Sequence, residues 1–216
     1  MIFIENKKKK KKTLDKLYSN AVLVDVTSKG KEPFLKLSPF YPHGNIPVPF
    51  TKNIYSYSVE GIWQGLKVFE HQDIDPKKFM IKNMKNIKRS RKKFGTPIGH
   101  RKGVYGNELL NYVIARKQIY IPTYKWVLKN RTYIEIEHLT LIALKQDLVL
   151  LDFETNLDVK NITKPFSHAA IIKMVIEKKH PELINKRFSK SITMNKEKKI
   201  KNSNHLKEEQ LKVKFE

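Results

Sequence analysis

The segment LSPFYP at residues 37–42, followed by SVEGIWQGLKVF at residues 58–69, carries the clearest structural signal in this 216-residue chain. In the second segment, five apolar side chains recur at the spacing of one buried helix face. They are Val59, Ile62, Trp63, Leu66 and Phe69. Ser58 belongs to the residue types that commonly cap a helix N-terminus. We therefore predict a helix from Ser58 to Phe69, preceded by an ordered loop.

The surrounding sequence indicates an α+β fold in which helices dominate and the β component is small. Residues 35–50 exclude a regular element because four prolines interrupt them: Pro39, Pro42, Pro47 and Pro49. Short apolar runs predict buried strands at Ala21–Val26 and Leu148–Phe153. Start signals and helical spacing predict four further helices, at residues 75–87, 107–118, 123–130 and 167–179.

The two ends of the chain are predicted to lie outside the core. Residues 1–19 are interpreted as a basic, partly disordered arm, because the lysine run at residues 7–12 repels itself. Residues 187–216 are interpreted as a basic, flexible tail. Residues 20–186 then form a single domain, whose length is ordinary for one hydrophobic core.

Composition excludes several kinds of protein and site. The chain contains no cysteine, so neither a disulfide framework nor a thiolate zinc site is available. Its seven histidines form no recognisable metal motif, and we predict neither a metal nor another cofactor. No apolar stretch approaches the roughly 20 residues of a membrane span. We therefore expect no membrane partner and a cytoplasmic location.

The net charge of +23 is concentrated in three segments. Residues 76–103 carry eleven basic and no acidic side chains, and the two ends of the chain carry most of the remaining excess. Such a segment suits the phosphate backbone of a nucleic acid. However, 38 of the 44 basic residues are lysines, a bias that an A/T-rich coding sequence also produces. The scarcity of arginine argues against reading of bases, since bidentate base contacts favour arginine.

Three polar residues form a stripe on the predicted helix beside its apolar face. Glu60, Gln64 and Lys67 stand at positions i, i+4 and i+7, so they can reach a shared ligand. On an amphipathic helix, however, such residues are more often a solvated surface. The stripe alone leaves both interpretations open.

The same segments resemble the opening of the NADAR (YbiA-like) family of N-glycosidases. In that family an "SNFYP"-type loop precedes an "S-x-E-x-x-x-Q-x-x-K-F"-type helix, and residues 37–42 and 57–69 match this arrangement. The resemblance implies a NADAR-like domain that cleaves an N-glycosidic bond to ribose without a metal. The implied substrates are ADP-ribosyl or nucleotide-like compounds, such as ADP-ribosylated guanine or riboflavin-pathway intermediates.

The resemblance also implies roles for individual residues. Glu60 matches the catalytic glutamate, and Asp152, at the exit of a predicted strand, is aligned with the later pocket segment as a second catalytic carboxylate. By the resemblance, the substrate-binding residues are Ser38, Tyr41, Gln64, Lys67 and Asn156, and Trp63 on the same helix is added to them. Two more are predicted from their own sequence context: Arg101, in a glycine-bounded basic turn that suits a phosphate, and His168, at a predicted helix start. An ordinary basic turn and a capping or packing histidine are the alternatives for these two. The alternative function is a non-catalytic protein that binds a nucleotide in the same pocket or a nucleic acid through residues 76–103.

Overall fold

The computed structural model describes residues 1–184 and contains three small sheets surrounded by helices. The strands are β1 (Ile2–Asn6), β2 (Val22–Asp25), β3 (Ile46–Pro47), β4 (Tyr55–Ser56), β5 (Lys67–Phe69), β6 (Pro97–Arg101), β7 (Leu109–Leu110) and β8 (Leu148–Asp152). The α-helices are α1 (Lys11–Leu17), α2 (Val59–Gly65), α3 (Arg91–Phe94), α4 (Tyr112–Ala115), α5 (Ile121–Asn130), α6 (Tyr133–Lys145) and α7 (His168–Lys179). This mixture confirms the predicted α+β class.

A three-stranded parallel sheet in the order β1-β8-β2 forms the centre of the core. Its middle strand has the sequence LVLLD, and Leu148, Val149 and Leu150 are fully buried. A continuous apolar run of this kind is typical of a parallel strand covered on both faces. Helices α6 and α7 both pack against β8, and α7 also contacts β1.

The N-terminal residues belong to the core, contrary to the arm predicted for residues 1–19. Strand β1 pairs with β8 along its whole length, and Ile2 and Leu14 are each only 3% exposed. The apolar residues before the lysine run supply this strand. Two of the lysines are neutralised locally, because Lys7 pairs with Asp25 and Lys9 lies 2.6 Å from Glu5. These ion pairs offset the repulsion on which the prediction of disorder rested.

Helix α2 begins as predicted but ends one turn early. Ser58 Oγ accepts a hydrogen bond of 3.0 Å from the N–H of Gly61, which confirms the N-terminal cap. The helix ends at Gly65, and residues 67–69 pair instead with β6. A Cβ atom on Gly65 would lie 2.2 Å from the ring of Phe79, so glycine permits this close packing.

The remaining predicted elements have mixed outcomes. The strands at residues 22–25 and 148–152 and the helices α5 and α7 confirm their predictions. The helix predicted over residues 75–87 is wrong, since only a 3₁₀ turn forms at Pro76–Met80. The helix predicted from residue 107 begins at Tyr112, after β7, and continues through a π-turn at Arg116–Tyr120 into α5. Helix α6 was not predicted.

The predicted tail at residues 187–216 lies outside the described residues. Within residues 1–184, no helix has both the length and the apolar character needed to cross a membrane.

Candidate functional site

A pocket of about 360 Å³ opens at the carboxyl end of the parallel sheet. Ligand sites of α/β proteins commonly form at this edge, where successive strands release loops. Asp152, the last residue of β8, lines the pocket together with residues of the loops after β2 and β8, which are Thr27, Ser28, Phe153 and Glu154. Helix α2 supplies the opposite wall. Seven of the predicted site residues line this pocket: Ser38, Glu60, Trp63, Gln64, Lys67, Asp152 and His168.

Glu60 is fixed in the pocket wall by a chain of two hydrogen bonds. The side-chain Nε2 of Gln64 donates to Glu60 Oε1 at 2.8 Å, and the backbone N–H of Arg89 donates to Gln64 Oε1 at 3.1 Å. The second bond fixes which end of the amide faces Glu60. Among the described residues, Glu60 Oε2 has neither a hydrogen bond nor an ion pair. One carboxylate oxygen, on a side chain only 7% exposed, is therefore free for a ligand.

Asp152 has a different environment, because residues at the start of α7 and the residue after β8 engage both of its carboxylate oxygens. Oδ2 accepts hydrogen bonds from Ser167 Oγ at 2.7 Å and from the N–H of Ala169 at 3.3 Å, and His168 Nδ1 lies 3.0 Å away. Oδ1 accepts from the N–H of Phe153. Burial by itself would raise the pKa of Asp152, but the His168 charge and these hydrogen bonds lower it to about 2.

His168 is correspondingly favoured in its charged form. Burial alone would lower its pKa, yet the charge and hydrogen bond of Asp152 raise it, and Glu60 adds to this effect. The second ring nitrogen, Nε2, lies 2.8 Å from the carbonyl oxygen of Val26. The ion pair of Asp152 and His168 therefore connects β8, α7 and the residue that follows β2.

Cations dominate the pocket lining. They are Lys67, Lys88, Arg89, Arg91 and Arg116, against three carboxylates at Glu60, Asp152 and Glu154. Burial lowers the pKa of Lys67, and only the nearby Glu60 opposes this shift while neighbouring arginines and Lys88 reinforce it. Because His168 already neutralises Asp152, the lining favours a ligand that carries more than one negative charge.

Arg116 holds a pocket wall that the sequence analysis did not identify. Its guanidinium donates to the carbonyl oxygens of Val159 and Asn161 at 3.0 and 2.6 Å and to that of Lys164 at 2.6 Å. It also lies 4.3 Å from the centre of the Tyr112 ring. Arg116 is 1% exposed and has no carboxylate partner in the described part of the chain, which is unusual for a buried charge.

The π-turn at Arg116–Tyr120 brings three side chains to this wall: Tyr112, Arg116 and Tyr120. Single π-turns within helices are frequent at functional sites. The predicted helix at residues 107–118 pointed to the region, but no feature of the sequence distinguishes a π-turn from a continuous helix.

Trp63 is held by aromatic neighbours. Its ring stacks on that of His100 with 3.7 Å between the ring centres, and the centre of the Tyr120 ring lies 5.4 Å away in an edge-to-face arrangement. His100 stands opposite Lys67 across the β5–β6 pair and is fully buried. Burial lowers the pKa of His100 well below its ordinary value, so its ring stays neutral against Trp63.

Comparison with protein-family models gives a match over residues 6–172 to a family of unknown function, DUF6939. The chain belongs to the DUF6939 family. Searches of the curated proteins and of the solved structures give no match. The DUF6939 match spans the pocket from Thr27 to His168, so the whole candidate site lies within the family region.

Three predicted site residues do not line the pocket of this DUF6939 protein. Tyr41 packs against the ring of His43 at 4.8 Å. Arg101 forms an ion pair of 2.7 Å with Asp73. Asn156 donates to the carbonyl oxygens of Asn161 and Lys164, so it supports the wall from behind. Among residues 1–184, no cluster of histidine and carboxylate side chains has the arrangement of a metal site.

Proposed function

We propose that this protein is an N-glycosidase-type hydrolase that acts on an ADP-ribosyl or nucleotide-like N-glycosidic bond. The observation that carries the proposal is the placement of Glu60. Its carboxylate is buried and oriented through Gln64 within a cation-rich pocket, and one of its oxygens has no partner in the part of the chain that the structure describes. The resemblance of residues 37–69 to the NADAR family supports the same chemistry.

Glu60 is suited to the electrostatic demands of this reaction. As the base leaves, positive charge develops on the ribose ring, and a carboxylate stabilises that charge. The same group can take a proton from the attacking water. The hydrogen bond from Gln64 holds Glu60 Oε1 in place, which leaves Oε2 to face the sugar or the water.

The cations of the pocket are suited to the phosphates of such a substrate. Lys67 lies on the same wall as Glu60, and Lys88 and Arg91 are exposed residues that also line the pocket. Guanidinium groups bind phosphate oxygens through paired hydrogen bonds, and a lysine binds them as a compact charge. We assign Lys88 and Arg91 to the phosphates and Lys67 to the region nearest the ribose.

Asp152, predicted as a second catalytic carboxylate, is better suited to a positioning role. Its oxygens accept bonds from Ser167, Ala169 and Phe153, and His168 lies beside it. We propose that Asp152 fixes the start of α7 and holds His168 in place through their ion pair.

The alternative is a non-catalytic protein that binds a nucleotide or a nucleic acid. Its specific support is that three cations of the basic segment, Lys88, Arg89 and Arg91, line the pocket. The remainder of that segment includes exposed lysines, namely Lys82, Lys85, Lys92 and Lys93. A phosphate backbone that follows these lysines would reach the pocket, and its binding would weaken steeply with salt.

The test compares the wild type with Glu60→Gln and with Glu137→Gln, a matched change at an exposed glutamate on α6. Thermal shift with ADP-ribose measures binding, because a ligand of the folded state raises the melting temperature. Chromatography measures base release from ADP-ribosylated guanine. We expect Glu60→Gln to lower kcat by about 10²- to 10⁴-fold and Glu137→Gln to leave it unchanged.

The outcomes separate the two functions. Base release that depends on Glu60 supports the hydrolase. Salt-sensitive binding of ADP-ribose or of an oligonucleotide, with no base release by the wild type, supports the binding protein. Base release that is equal in the wild type and Glu60→Gln would remove Glu60 from the mechanism.

A further inference from the structure

Tyr120 lines the pocket together with charged side chains, and within residues 1–184 its hydroxyl group has no hydrogen-bond partner. Tyr120 lines the pocket at the end of the π-turn and is partly buried. Its ring packs edge-on against Trp63 and lies parallel to Tyr124, with 6.4 Å between the two ring centres. Its hydroxyl forms no hydrogen bond to any residue in the described part of the chain.

Tyr124 provides the structural comparison. This second tyrosine is fully buried, and its hydroxyl donates to the backbone carbonyl of Leu37. Buried tyrosine hydroxyls generally find such partners. Tyr120 lacks such a partner among the described residues and is partly exposed, so its hydroxyl is available to a molecule that occupies the pocket.

The neighbours of Tyr120 keep its hydroxyl protonated. Burial raises its pKa well above the ordinary value, and the negative charges of Glu60 and Asp152 raise it further. The phenol therefore remains a neutral hydrogen-bond donor at physiological pH. Tyr120 and Glu60 line the same pocket, so the phenol faces the space in which the proposed function places the ribose and its base.

We propose that Tyr120 is a further catalytic residue, which donates a hydrogen bond to the departing base. This role rests on the proposed N-glycosidase function. The bond between ribose C1′ and the base nitrogen breaks, and its electron pair goes to the base. The hydrogen bond from Tyr120 stabilises the negative charge that develops there. Water supplies a hydroxyl group to C1′, Glu60 takes the water's other proton, and this proton finally neutralises the base.

The experiment compares Tyr120→Phe with Tyr124→Phe in the full chain. Both changes remove one hydroxyl from neighbouring tyrosines, but only Tyr120 contacts the base in the proposed role. The first substrate is ADP-ribosylated guanine, whose base departs as an anion. The second is NAD⁺, whose nicotinamide departs uncharged and needs no donor. Thermal shift with ADP-ribose, which lacks a base at C1′, measures the integrity of the pocket.

We expect Tyr120→Phe to lower kcat for ADP-ribosylated guanine by about 100-fold. Turnover of NAD⁺ and binding of ADP-ribose should remain near the wild-type level. Tyr124→Phe should lower the melting temperature, because the Tyr124 hydroxyl donates a hydrogen bond to the carbonyl oxygen of Leu37. It should change kcat for the two substrates by the same factor.

Two results would overturn the role of Tyr120 while leaving the proposed function intact. One is an equal loss on both substrates, and the other is a loss on the guanine substrate no larger than that of Tyr124→Phe. Failure of the wild type to release a base from either substrate would instead refute the proposed function, and the role of Tyr120 with it.

Discussion

The ion pair between Asp152 and His168 should make stability depend on pH in a defined window. The pKa of Asp152 falls from its ordinary 3.8 to about 2 in the folded protein. At about 1.4 kcal/mol for each pKa unit, this shift corresponds to about 2 kcal/mol of folding free energy. For a chain of this size, that equals roughly 4–8 °C in melting temperature.

The sign of the effect follows from the two shifts. A lowered carboxyl pKa stabilises the fold above pH 3.8, and the contribution is lost as the pH falls towards 2. The raised pKa of His168 stabilises the fold below its ordinary value of 6.5, and that contribution is lost as the pH rises through the raised value. The pair should therefore contribute most between about pH 4 and 6.5.

Urea unfolding of the wild type and Asp152→Asn at pH 2.5, 5 and 8 measures this contribution. We expect Asp152→Asn to lower the free energy of unfolding by at least about 2 kcal/mol at pH 5 and by less at the other two values. Asp15→Asn, at an exposed aspartate on α1, removes the same charge as a control. If the free energies of unfolding of the wild type and Asp152→Asn differed by the same amount at all three pH values, the ion pair would not be the source of the pH dependence.

Two further changes test other parts of the fold and pocket. Ile2→Ala should lower the free energy of unfolding by about 2–4 kcal/mol, because Ile2 is buried in β1; an unchanged urea midpoint would mean that β1 contributes nothing to the core. Arg116→Lys should lower the melting temperature and weaken ADP-ribose binding, because an ammonium group cannot satisfy the carbonyls of Val159, Asn161 and Lys164 in the same geometry. If a thermal-shift titration gave Arg116→Lys the melting temperature and the ADP-ribose affinity of the wild type, Arg116 would not be needed to hold this wall of the pocket.

Much of the local structure follows from sequence because its determinants are close in the chain. The cap at Ser58, the apolar face of α2 and the run LVLLD of β8 are each recognisable within a short window. The stripe Glu60, Gln64 and Lys67 indicated one candidate wall, and all three residues line the pocket. Their roles in binding and catalysis stay predictions until the experiments above are performed.

The errors arose where a distant partner overrides local preference. The N-terminal residues form β1 because β8, more than 140 residues away in sequence, offers an unpaired edge. Residues 67–69 leave the helical pattern because β6 pairs with them and Phe79 packs against Gly65. Propensity is a weak prior that such tertiary contacts commonly overrule.

The sequence by itself determined the α+β class and the position of α2, and it pointed to Glu60 as the candidate carboxylate. Only the tertiary structure decided how the two carboxylates differ. Asp152 is engaged at the start of α7, whereas one oxygen of Glu60 has no partner within residues 1–184. The tertiary structure also decided that Arg116 and Tyr120 share their pocket. A pocket forms where segments that are distant in sequence meet. The charge and burial of its side chains, and the hydrogen-bond donors that remain available there, depend on packing that no single segment specifies.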